Sequence, residues 1–216
     1  MKNNILTLAF LFSFCVLFTS CSKDDFDGSD TLITITRDLP DFTRVLAEND
    51  MEVEIVYGDT QTVEITVNDN LQNQLRTNVS NNTLRISLED GSYDNAVFKT
   101  KIQIPNFERL QLNDNTRGKV DYSASQLEFE VKGSSVLDLQ GSANVITTII
   151  RDNGEINGFS FTTDVLNTTS RDASELTITC DDEINGTVQQ ASEVRYRGTP
   201  SINAQTSDAG QIINAN

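Results

Sequence analysis

Six short polar triplets recur through the second half of the chain at nearly constant spacing. They are Asp114-Asn115-Thr116, Gly133-Ser134-Ser135, Asp152-Asn153-Gly154, Asp172-Ala173-Ser174, Gln190-Ala191-Ser192 and Asp208-Ala209-Gly210, at intervals of 19, 19, 20, 18 and 18 residues. Ahead of five of them a short strand-like run starts at Leu127, Ile146, Leu166, Ile184 or Ile202. Behind five lies an apolar anchor, Leu137, Ile156, Leu176, Val194 or Ile212. A unit this short holds too few apolar residues for a core of its own. Stacked at roughly 4.8 Å, successive units share one core and satisfy each other's backbone hydrogen bonds. The expected fold is therefore all-β, a parallel β-helix or solenoid with rungs of about 19 residues. The tripeptide Ile-Asn-Gly or Ile-Asn-Ala at 156, 184, 202 and 213 reads as part of the same architecture.

The first half is also β in texture. Val53-Glu54-Ile55-Val56, Val63-Glu64-Ile65-Thr66-Val67 and Leu84-Arg85-Ile86-Ser87-Leu88 alternate with period two, the signature of half-buried strands. Gly58-Asp59, Asn81-Asn82 and Asp90-Gly91 supply turns. Leu71 and Leu75 are spaced for a single helical turn. Short turns between alternating pairs also suit hairpins, so a β-sandwich over 31–105 is the rival arrangement there.

The N-terminus reads as an export signal. Lys2 is the one charge before Cys21, and residues 5–19 form an apolar run, too short to span a bilayer. Phe18-Thr19-Ser20-Cys21 has the form of a bacterial lipobox, with Phe where Leu is usual. The expectation is a signal peptide at 1–20, a lipidated Cys21, a tether over 21–30, and a single domain over 31–216 divided at 105/106 into an N-terminal β part and the regular repeats. Lipid on Cys21 anchors the chain to the membrane without spanning it. Ser22-Lys23-Asp24-Asp25 has the Lys-plus-acid form of surface-export signals in Bacteroidetes lipoproteins. The expected location is thus the outer membrane, exposed at the cell surface.

Composition excludes several kinds of chemistry. The chain has 16 basic and 32 acidic side chains; loss of Lys2 with the signal peptide leaves 15 against 32, or −17. That charge repels nucleic acids and anionic headgroups. Histidine is absent, which removes Ser-His-Asp and Cys-His catalysis and His-ligated metals. Cys180 alone remains after the signal peptide and the lipidated residue, so it forms no disulfide framework and reads as a small buried residue. Trp is absent, and Tyr57, Tyr93, Tyr122 and Tyr196 are scattered, with no aromatic platform.

One constellation invites a cofactor. Asp152 and Asp172 occupy equivalent positions on successive rungs, with carboxylates roughly 5 Å apart. With Asn153 they form a candidate calcium site, since calcium takes carboxylate and amide oxygens. The structural alternative is that Asp and Asn stand there because they close turns, with Arg151 and Arg171 alongside and the ladder broken at Gly133 and Gln190. Outward Thr and Asn, including Asn167-Thr168-Thr169, Thr177, Thr179, Asn203 and Gln205, offer a face for glycan or protein.

The chain resembles the head GIN domain of auto-transporter adhesins found among Bacteroidetes lipoproteins. The resemblance is carried by Leu39-Pro40-Asp41-Phe42-Thr43-Arg44-Val45, Val53-Glu54-Ile55-Val56-Tyr57-Gly58, Lys101-Ile102-Gln103-Ile104-Pro105, and turns such as Asp172-Ala173-Ser174-Glu175-Leu176 and Gln190-Ala191-Ser192-Glu193-Val194. It implies an extracytoplasmic β-helical domain without catalytic residues. Two departures stand out: no apolar residue follows the first triplet at Arg117-Gly118, and Val136 stands where an acid is usual. The expected function is a surface lipoprotein that presents a solenoid face for adhesion or for glycan or envelope contact, and not an enzyme. The alternatives are an accessory envelope protein without a ligand of its own and, third, a carboxylate-based polysaccharide enzyme.

Overall fold

The computed structural model describes residues 24–216. The expected signal peptide over 1–20 and the expected lipidation site Cys21 lie outside the described residues. The described residues are almost entirely β, wound into a β-solenoid of about 6 turns. Four long strands carry the regular part: Arg117–Val131, Val136–Ile150, Glu155–Ser170 and Glu175–Gln189. Each leaves one triplet, bends once, and runs into the next triplet without a loop. The run after one triplet and the run before the next are thus halves of one bent strand.

Register follows the sequence spacing. Leu127, Ile146, Leu166, Ile184 and Ile202 stack in line. On the other face Leu137, Ile156, Leu176, Val194 and Ile212 do the same. Alternation puts Gly118, Val120 and Tyr122 inward on one half of the first long strand and Leu127, Phe129 and Val131 inward on the other. Phe129 and Phe161 meet edge to face at 6.4 Å inside this core, a favoured aromatic arrangement. The departure after the first triplet has a packing cause. A Cβ on Gly118 would lie 2.7 Å from Leu112 and 2.9 Å from Leu137, so neighbouring leucines already fill the anchor's place.

The unequal intervals are absorbed away from the turns. Pairing slips between Asp138 and Gln140, where the next strand carries one extra residue. It slips again between Gly158 and Thr162 and between Thr163 and Val165. These slips sit in the bend of the strand, so the 20-residue rung and the 18-residue rung that follows keep their turns aligned. The tripeptide echo does not mark one rung position. Ile156 stacks under Leu176 on one face and Ile184 under Ile202 on the other, while Ile213 pairs with the exposed Arg195.

The first half is neither a sandwich nor a separate unit. Arg44–Ala47 and Glu52–Tyr57 form a further coil, in parallel register with Arg109–Leu112 and Arg117–Asp121. Thr83–Leu88 and Phe98–Ile104 pair parallel on its other side. The expected hairpins are grafted onto this end. Leu75–Ser80 pairs antiparallel with Thr83–Leu88 through Asn81 and Asn82, both with positive φ. Leu32–Thr36, Thr62–Asn68 and Phe98–Ile104 form an antiparallel trio. They cover the end of the stack, where a solenoid core would otherwise meet water. The single turn near Leu71 is a short 3-10 segment, Asp69–Leu71. The tether is shorter than expected: Asp25–Asp27 already pairs with Ser92–Asp94, and Phe26 stacks on Tyr93 at 5.2 Å. Burial of Phe26 against that ring is what draws these residues into the fold.

Backbone clearance, not burial, sets how much a new side chain costs here. Gly186 is exposed, yet its φ is 117° and a Cβ would lie 1.9 Å from the Thr168 carbonyl oxygen. Buried Gly118 meets only the ends of leucine side chains. Gly186→Ala is expected to destabilise by about 3 kcal/mol or more, and Gly118→Ala by about 1–2 kcal/mol. Urea unfolding of the two variants checks the order.

Candidate binding surface

The triplet turns are built from residues that tolerate left-handed backbone. The first residue of all six has φ between 51 and 70°, a conformation open to Gly and relatively cheap for Asp and Asn. The side chains of Asp152, Asp172 and Gln190 then reach back one rung. Gly133 N–H donates to Asp152 Oδ2 and Asp152 N–H to Asp172 Oδ2, both at 3.4 Å, and Asp172 N–H donates to Gln190 Oε1 at 3.0 Å. Gln190 therefore continues the ladder that the sequence appeared to break. Gly133 does interrupt it, because it has no side chain to offer the N–H of Asp114. The third triplet residue points inward: Thr116, Ser135, Ser174 and Ser192 are all buried.

The same device recurs where the sequence spacing hid it. Asn49, with φ 74°, accepts from Leu88 N–H at 3.0 Å through Oδ1 and donates its own N–H to Asp114 Oδ2 at 3.3 Å. Asn49-Asp50-Met51 is thus the turn of the preceding coil. The capping insertion separates it from Asp114 by 65 residues, so no 19-residue period reveals it. A polar pair followed by the alternating run from Met51 was the available signal.

The proposed calcium ligands are all on this ladder. Asp152 and Asn153 are exposed; Asp172 is half-buried and lies 3.6 Å from Arg171 Nε. Asn153 donates its N–H to Gly133 O at 3.0 Å. Among the described residues no three acidic or cysteine side chains gather to hold an ion. The arrangement closes turns with carboxylate acceptors.

The outward polar face is less uniform than the sequence indicates. Thr168 is buried, bonded to Thr148 at 2.8 Å and to Ser170 at 3.0 Å. It falls in phase with Leu166 and Ser170, hence inward. Asn167, Asn185 and Asn203 do form a ladder, with amide contacts of 3.4 and 3.1 Å. Glu155, Glu175 and Glu193 stack on successive coils, which concentrates negative charge along one edge. Cys180 is buried, its thiol pKa pushed up by burial, and its Sγ contacts Glu183 O at 3.2 Å. That environment disfavours the thiolate.

Two of the scattered tyrosines meet. Tyr57 lies 6.1 Å from Tyr122, and Phe107 packs on Tyr122 at 5.4 Å. Tyr122 is fixed from both sides: its hydroxyl donates to Pro105 O at 2.7 Å and accepts from Phe107 N–H at 3.2 Å. Charged pairs border the spot. Arg44 pairs with Glu108 at 3.1 Å, and Arg109 reaches Glu128 at 3.2 Å and also Glu130. Burial pushes the Glu130 carboxyl up, but Lys132 and Arg109 outweigh it and hold its pKa below the ordinary value. The sequence could not reveal this cluster, because Tyr57 and Tyr122 meet only through the parallel pairing of their strands.

Comparison with known proteins agrees with this geometry. The family model described as putative auto-transporter adhesin, head GIN domain, matches residues 41–200. The chain belongs to the head GIN domain family. A putative adhesin from Bacteroides fragilis shares the fold with a TM-score of 0.68 at 17% identity, covering 88% of this chain and 99% of that one. A putative lipid binding protein from Parabacteroides distasonis gives 0.55 at 16% identity, covering 89% and 100%. A putative adhesin from Parabacteroides merdae gives 0.54 at 15%, with the same coverages. No protein of curated function is similar to the chain. Membership of the head GIN family makes this an adhesin-like protein.

Two measurements check the chemistry of this head GIN domain. Asp152→Asn, which keeps the acceptor, should leave stability within about 0.5 kcal/mol, Asp152→Ala should cost about 1–2 kcal/mol through left-handed strain and the lost acceptor, and Asp152→Gly, which loses the acceptor alone, should fall between them. Calcium added during melts of the parent and of the Asp152→Asn/Asp172→Asn pair separates turn closure from ion binding. Turn closure leaves both melting temperatures unmoved, whereas a bound ion raises the parent's alone. The second measurement is alkaline titration. Hydrogen bonding to Asp59 raises the Tyr57 pKa, and burial raises those of Tyr93 and Tyr122. Folding therefore favours the neutral phenols, a stabilisation complete below about pH 10 and lost as pH rises through the folded values. The melting temperature should hold to about pH 9 and fall above about pH 10, less steeply in Tyr122→Phe.

Proposed function

We propose that this head GIN domain is a lipid-anchored surface protein whose solenoid works by presenting a binding face, in adhesion or in contact with glycan or another envelope component. The observation that carries the reading is a pairing of sequence and fold. A lipobox ending at Cys21 stands just ahead of the point, Asp25, where the chain enters the capped end of a head GIN solenoid. Lipid on Cys21 would hold that capped end to the outer membrane and leave the coils free to meet a partner. A solenoid suits this work because its outer face is long and its core is continuous, so surface residues can vary while packing is kept.

The reading is tested on cells carrying the full chain. Cys21→Ala should abolish globomycin-sensitive processing and palmitate labelling, and unchanged labelling would remove the anchor. Protease added to intact cells should destroy the protein, and full protection would refute surface display. Cells lacking the protein should attach less well to glycan-coated or host surfaces than cells carrying it. Equal attachment favours an accessory envelope role without a ligand.

A further inference from the structure

Tyr57 breaks the burial pattern of its own strand. It shares the inward phase of Val53 and Ile55, which are 2% and 0% exposed, yet is itself 61% exposed. The exposed ring lies against Tyr122, which with Phe107 is itself buried, and it borders an opening in the surface above the core. The opening lies at the bend of the coil, where Arg117–Val131 turns from one face to the other beside Pro105-Asn106-Phe107. It is a cavity of about 690 Å³ with Tyr57, Tyr122 and Phe107 as its apolar wall. Asn106, Ser125 and Gln126 stand exposed at its rim.

Both tyrosine hydroxyls of the wall are hydrogen-bonded within the protein. Tyr57 Oη donates to Asp59 Oδ1 at 2.8 Å, which fixes the ring from its polar end. Tyr122 is pinned by Pro105 O and Phe107 N–H, as described. Rings held in place lose little freedom on binding, which favours affinity. A half-exposed aromatic face beside amides and hydroxyls matches a particular shape of molecule. A hexopyranose offers one face of C–H groups to an aromatic ring and an edge of hydroxyls to amides. An acyl chain would instead leave much of its length in water in so open and polar-rimmed a groove.

Charge narrows the class further. The two cations at the border, Arg44 and Arg109, are already engaged by Glu108, Glu128 and Glu130. The chain as a whole carries −16, which repels sialylated, sulfated or uronate-rich ligands. We propose that the groove bordered by Tyr57 and Tyr122 binds a neutral glycan, with one hexopyranose ring stacked on the exposed face of Tyr57 and its hydroxyls met by Asn106, Ser125 and Gln126. The proposal rests on the surface-presentation reading above and names the site and ligand class within it.

The test uses the full chain purified in detergent, applied to an array of neutral glucose-, galactose- and mannose-containing oligosaccharides and their sialylated and sulfated counterparts. Neutral members should bind. Tyr57→Ala should weaken that binding roughly tenfold or more, Tyr57→Phe should retain most of it, and Thr206→Ala, at an exposed position on the last coils, should leave it unchanged. Circular dichroism melts of each variant separate a lost contact from a lost fold. Binding confined to the charged glycans, binding indifferent to Tyr57→Ala, or no glycan bound would each overturn the site. Attachment of intact cells is measured in parallel. If cells with Tyr57→Ala attach as well as the parent, the groove assignment falls while adhesion stands; if the parent itself confers no attachment, the adhesion reading falls.

Discussion

Each coil is held in place by hydrogen bonds to the coil before it, and the turn determines whether those bonds can form. A parallel stack tolerates no drift in register, because a slip of one residue would send every core side chain to the solvent face. The triplet turns prevent the slip. Their left-handed first residue sets the corner, and at Asn49, Asp114, Asp152, Asp172 and Gln190 its side chain takes the N–H of the equivalent residue one rung earlier. From Leu88 through Asn49 and Asp114, and again from Gly133 to Gln190, the corner of one coil is thereby fixed to the next. The continuous cores of both faces follow from that alignment.

This explains an otherwise uncomfortable charge pattern. Aspartates on adjacent rungs repel, and without compensation such a stack would cost stability. Here each carboxylate of the Asp152–Asp172 pair faces a peptide N–H, and Arg171 lies beside Asp172. Tolerance of left-handed backbone is what the position requires, and Asp, Asn, Gln and Gly all appear there, all but Gly carrying a side-chain acceptor as well. The residue types that resembled an ion site are the types a stacked turn selects.

Much of the fold was legible because a solenoid writes its period into the sequence. Every anchor from Leu137 to Ile212 stacks as its spacing implied. The coil at 44–57 was not legible, since an insertion hides its period. Thr168 was misplaced because a hydroxyl looks like surface until its phase with Leu166 and Ser170 is known. The tyrosine groove was invisible for a different reason. Tyr57 and Tyr122 are 65 residues apart, and only the pairing of Val56 with Asp121 makes them neighbours.

The register slips at the bends have a consequence for how such a protein changes over generations. A residue gained or lost at a turn would misalign every coil beyond it, whereas one gained at the bend is absorbed within a single rung. The extra residue near Phe159 shows the tolerance at work, its ring covered by Arg197 at 4.2 Å. The bend is also where the aromatic groove opens. Variation in length and the proposed glycan groove therefore share one seam of the molecule, and the seam can be rewritten while the stack stays as it is.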